Sequence, residues 1–244
     1  GCIIDKKGNI NQYIGTGNSI IDVEIVSSDA QKWYEENINL RDSAERVYKT
    51  RGPYWDDFYD TCTLNSSFSP YGQIQNVSIL SVLLNDTDPI SNWWGCNQRI
   101  RLNPGCYIYS SNYVNAQLKA QQVWGSKCIS LFDFYPDNPV SGTQSTGISI
   151  GVGANGVSGG ISFTYTQSDL STSVYADWEN GAIIWLSEPN STAAQTSTIS
   201  SRPGATCELY DFDSGNTIVE SIGHGTWSNG LITRTRSNSV TWVY

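Results

Sequence analysis

Apolar and polar positions alternate most regularly between Gly147 and Thr166, in the run GISIGVGANGVSGGISFTYT. Asn155-Gly156 in its middle predicts a type I′ turn, because both residue types tolerate the positive φ that the two central positions need. A two-residue turn fixes the register. Ala154 then faces Val157, Val152 faces Gly159, Ile150 faces Ile161 and Ile148 faces Phe163, so the apolar side chains share one side of the hairpin. Gly147, Ser149, Gly151 and Gly153 oppose Thr164, Ser162, Gly160 and Ser158 on the other. A face nearly without side chains is either solvated or approached closely by another backbone.

The same reading extends along the chain. Ser19 to Ser27 alternates, with Ile21, Val23 and Ile25 on one side, and predicts a half-buried strand. Ser28-Asp29-Ala30-Gln31 resembles a capping box, and the spacings Arg41/Glu45 and Asp42/Arg46 suit helical ion pairs, so a short helical segment is expected near 29–49. Ile74 to Leu84 carries apolar residues on both faces, as a central strand does. Gln117 to Phe134 reads as strand, although Val114 to Gln122 also fits a helix. Asp137 to Thr146, DNPVSGTQST, reads as a long loop and the best place for a domain boundary. Beyond the hairpin, turn signals recur at Asn180-Gly181, Ser214-Gly215 and Asn229-Gly230. Strands are expected near 172–178, 183–188, 194–201, 205–212, 217–223, 226–228, 231–236 and 239–244, as a meander. The fold expected is mainly β, an antiparallel β-sandwich or jelly roll. Its regions are an N-terminal arm and first strand (1–27), a helical cover with a disulfide-rich β region (28–140), and the completing meander (141–244).

Composition sharpens the picture. Charged residues make up only 15% of the 244 residues while Gly, aromatics and hydroxyl residues abound, which is the composition of an extracellular β protein. The chain has no Met, and beginning at Gly1 it reads as processed, with an initiator and signal peptide removed. The cysteines Cys2, Cys62, Cys96, Cys106, Cys128 and Cys207 are an even set without a CxxC pair, so disulfides are expected, without a free thiol. Their connectivity stays open, although Cys96 and Cys106 could close a loop over Asn103-Pro104-Gly105. A net charge of −9 argues against nucleic acid, and no apolar run is long enough to span a membrane.

Candidate chemistry is sparse. Gly147-Ile148-Ser149-Ile150-Gly151 matches the G-x-S-x-G pattern, but a nucleophile elbow needs a strand, a sharp turn and a helix, and Ser149 falls mid-strand. His224, in Gly223-His224-Gly225, is the only histidine and reads as a surface or turn residue. Trp55, Asp56, Asp57 and Asp60 crowd carboxylates and an aromatic, which fits a solvated acidic loop better than a calcium or glycosidase site. No catalytic residue, cofactor or metal is expected. Asn65, Asn76, Asn85 and Asn190 head N-glycosylation sequons, so N-linked glycans are expected partners. Nine Trp and fourteen Tyr serve core packing, or could stack on sugar rings.

The run GISIGVGANGVSGGISFTYT, followed by TSVYADWENGAIIWLS, resembles the Gly- and Ser-rich β regions of secreted archaeal surface proteins, and the overall plan is similar to archaeal pilus or thread filament subunits. The resemblance covers residues 147 to 187 and carries over no functional residue. It implies a secreted, cell-surface structural subunit that assembles with copies of itself by strand addition. Ile3, Ile4, Ile10, Tyr13 and Ile14 make the amino-terminal arm apolar. That arm is expected to pack on a neighbouring copy, with the Gly/Ser face of the hairpin as acceptor. A secreted lectin or glycoside hydrolase on a jelly roll is the alternative.

Overall fold

A computed structural model describes residues 2–4, 10–12, 54–84, 91–125, 128–152, 159–210 and 217–243. The strand expected at 19–27, the helical segment at 29–49 and the turn at 155–156 lie outside the described residues. In chain order the elements are β1 (Cys2–Ile4), β2 (Ile10–Gln12), β3 (Tyr54–Phe68), β4 (Gly72–Leu84), β5 (Ser91–Pro104), α1 (Gly105–Ile108), β6 (Val114–Trp124), β7 (Cys128–Tyr135) and β8 (Val140–Val152). They continue with β9 (Gly159–Asp177), β10 (Ala182–Pro189), α2 (Thr192–Thr196), β11 (Ile199–Ser201), β12 (Gly204–Tyr210), β13 (Thr217–Ser228) and β14 (Thr233–Val243). The fold is mainly β and antiparallel throughout.

Ladder bonds run in the order β14-β13-β6-β10-β9-β11-β5-β12-β7, with β4 on the other edge of β5 carrying β3, and β8 on the other edge of β9. The path folds into two facing layers, β3-β4-β5-β12-β7 and β14-β13-β6-β10 with the C-terminal half of β9. The short β11 joins them, with Ile199 opposite Leu102 of β5 and Ser201 opposite Gln167 of β9. Between the layers lie Ile74, Leu80, Trp94, Ile100, Leu102, Leu118, Trp185, Trp227 and Trp242, all fully buried. Among the described residues the tryptophans are therefore largely core residues.

The hairpin takes the register set by its turn and pattern: Ile148 opposes Phe163, Ile150 opposes Ile161 and Val152 opposes Gly159. Its apolar side covers the outer face of the first layer. Trp94 and Cys96 point into the core, so Gly95 between them points the other way, and a Cβ there would meet Ile161 Cδ1 at 1.7 Å. Phe163 lies against Gly204 in the same manner. The cover explains why β5 is buried on both faces around Trp93 and Asn97.

One open choice is decided and three sequence expectations are corrected. Val114 to Gln122 is strand, because β6 is bonded on one edge by β10 and on the other by β13. Residues 140–146 are not a loop: they belong to β8 and pair with β9 from Thr172 to Tyr165. Their polar side chains suit an outermost strand whose faces meet water. The strand expected at 194–201 is shortened to Ile199–Ser201, and Thr192–Thr196 forms α2, because Ser191 caps it by accepting from Ala194 N at 3.2 Å. The C-terminal part is not a simple meander either. β12 inserts between β5 and β7, and β13 crosses to pair with β6, so the Ser214-Gly215 connection joins strands that are not ladder partners. The turns containing Asn180-Gly181 and Asn229-Gly230 do close hairpins, each with its glycine at positive φ, 59° and 86°.

Candidate functional site

The feature of the surface with most bearing on association is the end strand β14. Its sequence, TRTRSNSVTWV, changes character midway: Val240, Trp242 and Val243 are core residues, whereas Thr233 to Thr235 are exposed. Among the described strands β13 is its only ladder partner. Arg236 lies over the Phe68 ring at 5.3 Å and Arg234 over Tyr71 at 5.9 Å, closing the end of the sandwich where Phe68, Tyr71, Tyr113 and Trp227 cluster. Such cation–π contacts contribute about 0.5–1 kcal/mol each at exposed sites. The turn leading into β14 is held by Asn229, whose Oδ1 accepts from Leu231 N at 3.0 Å and Ile232 N at 2.8 Å. It displays Leu231 at 94% exposure with Ile232 beside it. No periodicity marks these two residues, since their exposure comes from the turn geometry.

The arm residues Ile3, Ile4 and Ile10 fall in β1 and β2, which pair with each other, Ile4 opposite Ile10, as a separate two-stranded sheet. β1 lies beside β14 of its own chain. On the described part of the hairpin's Gly/Ser face, Ser149, Ser162 and Thr164 are exposed and the space around Gly147 is open. Tyr13 and Ile14 lie outside the described residues.

The sequons separate by environment. Asn65 on β3 and Asn190 after β10 are exposed, and Asn85 is outside the described residues. Asn76 is 0% exposed, and its Nδ2, the atom a glycan would occupy, donates to Ser221 O in the facing layer at 2.8 Å. A glycan at Asn76 is incompatible with this fold. Asn76 belongs instead to a clamp of buried amides. Gln98 Nε2 donates to Asn76 Oδ1 at 3.2 Å and Ile222 O at 3.0 Å, and Gln122 Nε2 donates to Cys96 O at 3.1 Å.

The cysteines are dispersed. Cys96 and Cys106 cannot close the loop suggested for them: β5 runs extended from Cys96 to Pro104, about 26 Å at ~3.3 Å per residue, against the roughly 7 Å between Cα atoms that a disulfide tolerates. Cys96 is buried, its Sγ 3.4 Å from Ser78 Oγ, and burial pushes its thiol up to about 12. Cys106 is half-buried in α1, its Sγ 3.8 Å from Thr196 O. Cys62 lies opposite Ser78 and Cys2 opposite Gln12. Cys128 and Cys207 come together, Sγ to Sγ 2.9 Å.

Ser149 lies mid-strand in β8, opposite Ser162, without the turn and helix of a nucleophile elbow. His224 also sits mid-strand, on β13 between Lys119 and Ser237. Its Nδ1 is 2.5 Å from Ser237 Oγ, and burial, then the nearby Lys119 charge, pushes the imidazole down to about 4. Trp55, Asp56, Asp57 and Asp60 belong to β3 rather than to a loop. Among the described residues no helix is long and apolar enough to cross a membrane.

Fold and surface together define a mainly β antiparallel sandwich protein with an end strand flanked by an apolar segment. Compared with known proteins, the chain matches no family model and no curated protein.

Proposed function

We propose that this protein is a structural subunit of an extracellular, cell-surface filament, whose copies join by strand addition along β14. The observation that carries the reading is the apolar β1 lying beside the end strand β14 while remaining outside its ladder. An arm docked beside an end strand of its own chain can dock in the same way on the equivalent strand of a neighbour, with main-chain hydrogen bonds supplying affinity. Leu231 and Ile232 at the head of β14 add an apolar contact that a neighbour would bury. Exposed sequons at Asn65 and Asn190 suit a glycosylated outer surface.

Deleting residues 1–15 tests this. The intact chain should form fibres visible by electron microscopy, and the truncated chain should elute as a monomer with β-type circular dichroism. Fibres from the truncated chain, or none from the intact chain, would refute the reading. One observation favours a carbohydrate-binding role instead: Trp178 is 55% exposed and packs on Phe134 at 5.4 Å, and an exposed indole of that kind can stack on a sugar. An intact monomer retained on a glycan column, and released by Trp178→Ala, would support that second role.

A further inference from the structure

We propose that Cys128 and Cys207 form a disulfide that staples β7 to β12, and that Cys96 stays a thiol. The inference goes beyond the assembly reading and does not depend on it. The pairing of β7 with β12 is irregular at this place: Cys207 opposes Leu131, Glu208 opposes Ser130, and Leu209 opposes Cys128. In a regular strand Leu131 and Cys128, three residues apart, would face opposite sides. The bulge between Glu208 and Leu209 takes up Ile129, so both Leu131 and Cys128 turn toward the face that carries Cys207 and Leu209. A second bulge takes up Phe132 in the same way. Ile129 and Phe132 are among the exposed large apolar residues, as expected of positions extruded from the ladder.

The result is two sulfurs 2.9 Å apart on neighbouring strands. Bulges also weaken the ladder there, and β12 is the only described ladder partner of β7, so a covalent link holds the strand where its hydrogen bonding is poorest. Bond formation is a thiol–disulfide exchange. The half-buried Cys128 attacks a protein or small-molecule disulfide as its thiolate, and a mixed disulfide forms as one thiol leaves. Cys207, which gives up its proton, then displaces the second thiol. The pair loses two protons and two electrons, and the oxidant's disulfide is reduced to two thiol groups. Cys96 has no such partner across β4, because Cys62, opposite Ser78, is two strand spacings away, about 10 Å or more. Its other neighbour, Cys207, is committed to Cys128.

The test is peptide mapping of the full chain, incubated folded with oxidised glutathione, then denatured in N-ethylmaleimide without reductant and digested. The expected result is a linked Cys128–Cys207 peptide pair, two hydrogens lighter than the sum of its parts, with Cys96 carrying maleimide. Maleimide on both Cys128 and Cys207, or either of them linked to another cysteine, would overturn the pairing. A cross-link at Cys96 would overturn the second half of the proposal.

Discussion

Replacing Asn76 with alanine separates the two roles its sequence allows. Asn76→Ala removes the donor to Ser221 O and the acceptor for Gln98 Nε2. Gln98 Nε2 keeps its bond to Ile222 O, so the main loss is at Ser221 O, a buried carbonyl deprived of one donor. Such a loss costs about 1–3 kcal/mol. The vacated amide volume in a fully buried site adds roughly 1 kcal/mol, for a total of about 2–4 kcal/mol. In a domain of this size that corresponds to a fall in Tm of about 5–15 °C. Asn65→Ala is the control: its Oδ1 accepts only from the exposed Gln75 Nε2 at 3.0 Å, and the change should stay within about 0.5 kcal/mol. The assay is urea unfolding followed by tryptophan fluorescence, with glycopeptide mapping of the secreted protein in parallel. A glycan on Asn76 of the folded protein, or an Asn76→Ala midpoint equal to that of Asn65→Ala, would refute the clamp.

His224 makes stability depend on pH with a definite sign. Its folded pKa of about 4 lies below the ordinary 6.5, so between those values the unfolded chain binds the proton that the folded protein refuses; stability is full above about pH 6.5 and falls as pH drops toward 4. His224→Gln should flatten that fall in urea midpoints compared at pH 7 and pH 5, and equal falls in both proteins would contradict the burial argument. Gly125→Ala should destabilise by about 2–4 kcal/mol, since its Cβ would sit 1.9 Å from the backbone oxygen of Thr217. Gly147→Ala, in open space, should change unfolding by less than about 0.5 kcal/mol, and equal effects at the two glycines would contradict the packing described.

What could be read from the sequence was what local geometry decides. The register of the 147–166 hairpin follows from one turn and a period of two, and both act within twenty residues. The centrality of β4 follows from apolar residues on both faces of its C-terminal half. The path of β12 into β13 could not be read in this way. Ser214-Gly215 between two strand-like runs gives the same local signal whether the chain turns back on itself or crosses to the facing layer, and only the packing of distant strands decides. The α2 turn did carry a signal, Ser191 ahead of Thr192-Ala193-Ala194, which alternation nearby obscured. Asn76 is the clearest case of a residue whose role sequence could not reveal. Its motif is that of a surface glycan, and its partner is 145 residues away.

The same long-range logic gives Gly223-His224-Gly225 a meaning that a turn does not. In β13 the two glycines face the other layer and His224 faces away from it. A Cβ on Gly223 would meet Asn76 Cβ and Ile74 Cδ1 at 3.3 Å, and one on Gly225 would meet Leu102 Cδ1 at 2.2 Å. Small residues on β13 thus admit large ones from β4 and β5, and the layers come close enough for a short Asn side chain to reach the opposite backbone. Sliding β13 by one residue would present Ile222 and His224 to positions that accept only a hydrogen, and would carry Ser221 O away from Asn76. The glycines exclude the wrong register sterically, and the amides reward the right one with hydrogen bonds. Neither would suffice alone: without the glycines the amides could not reach, and without the amides the smooth Gly face would slip.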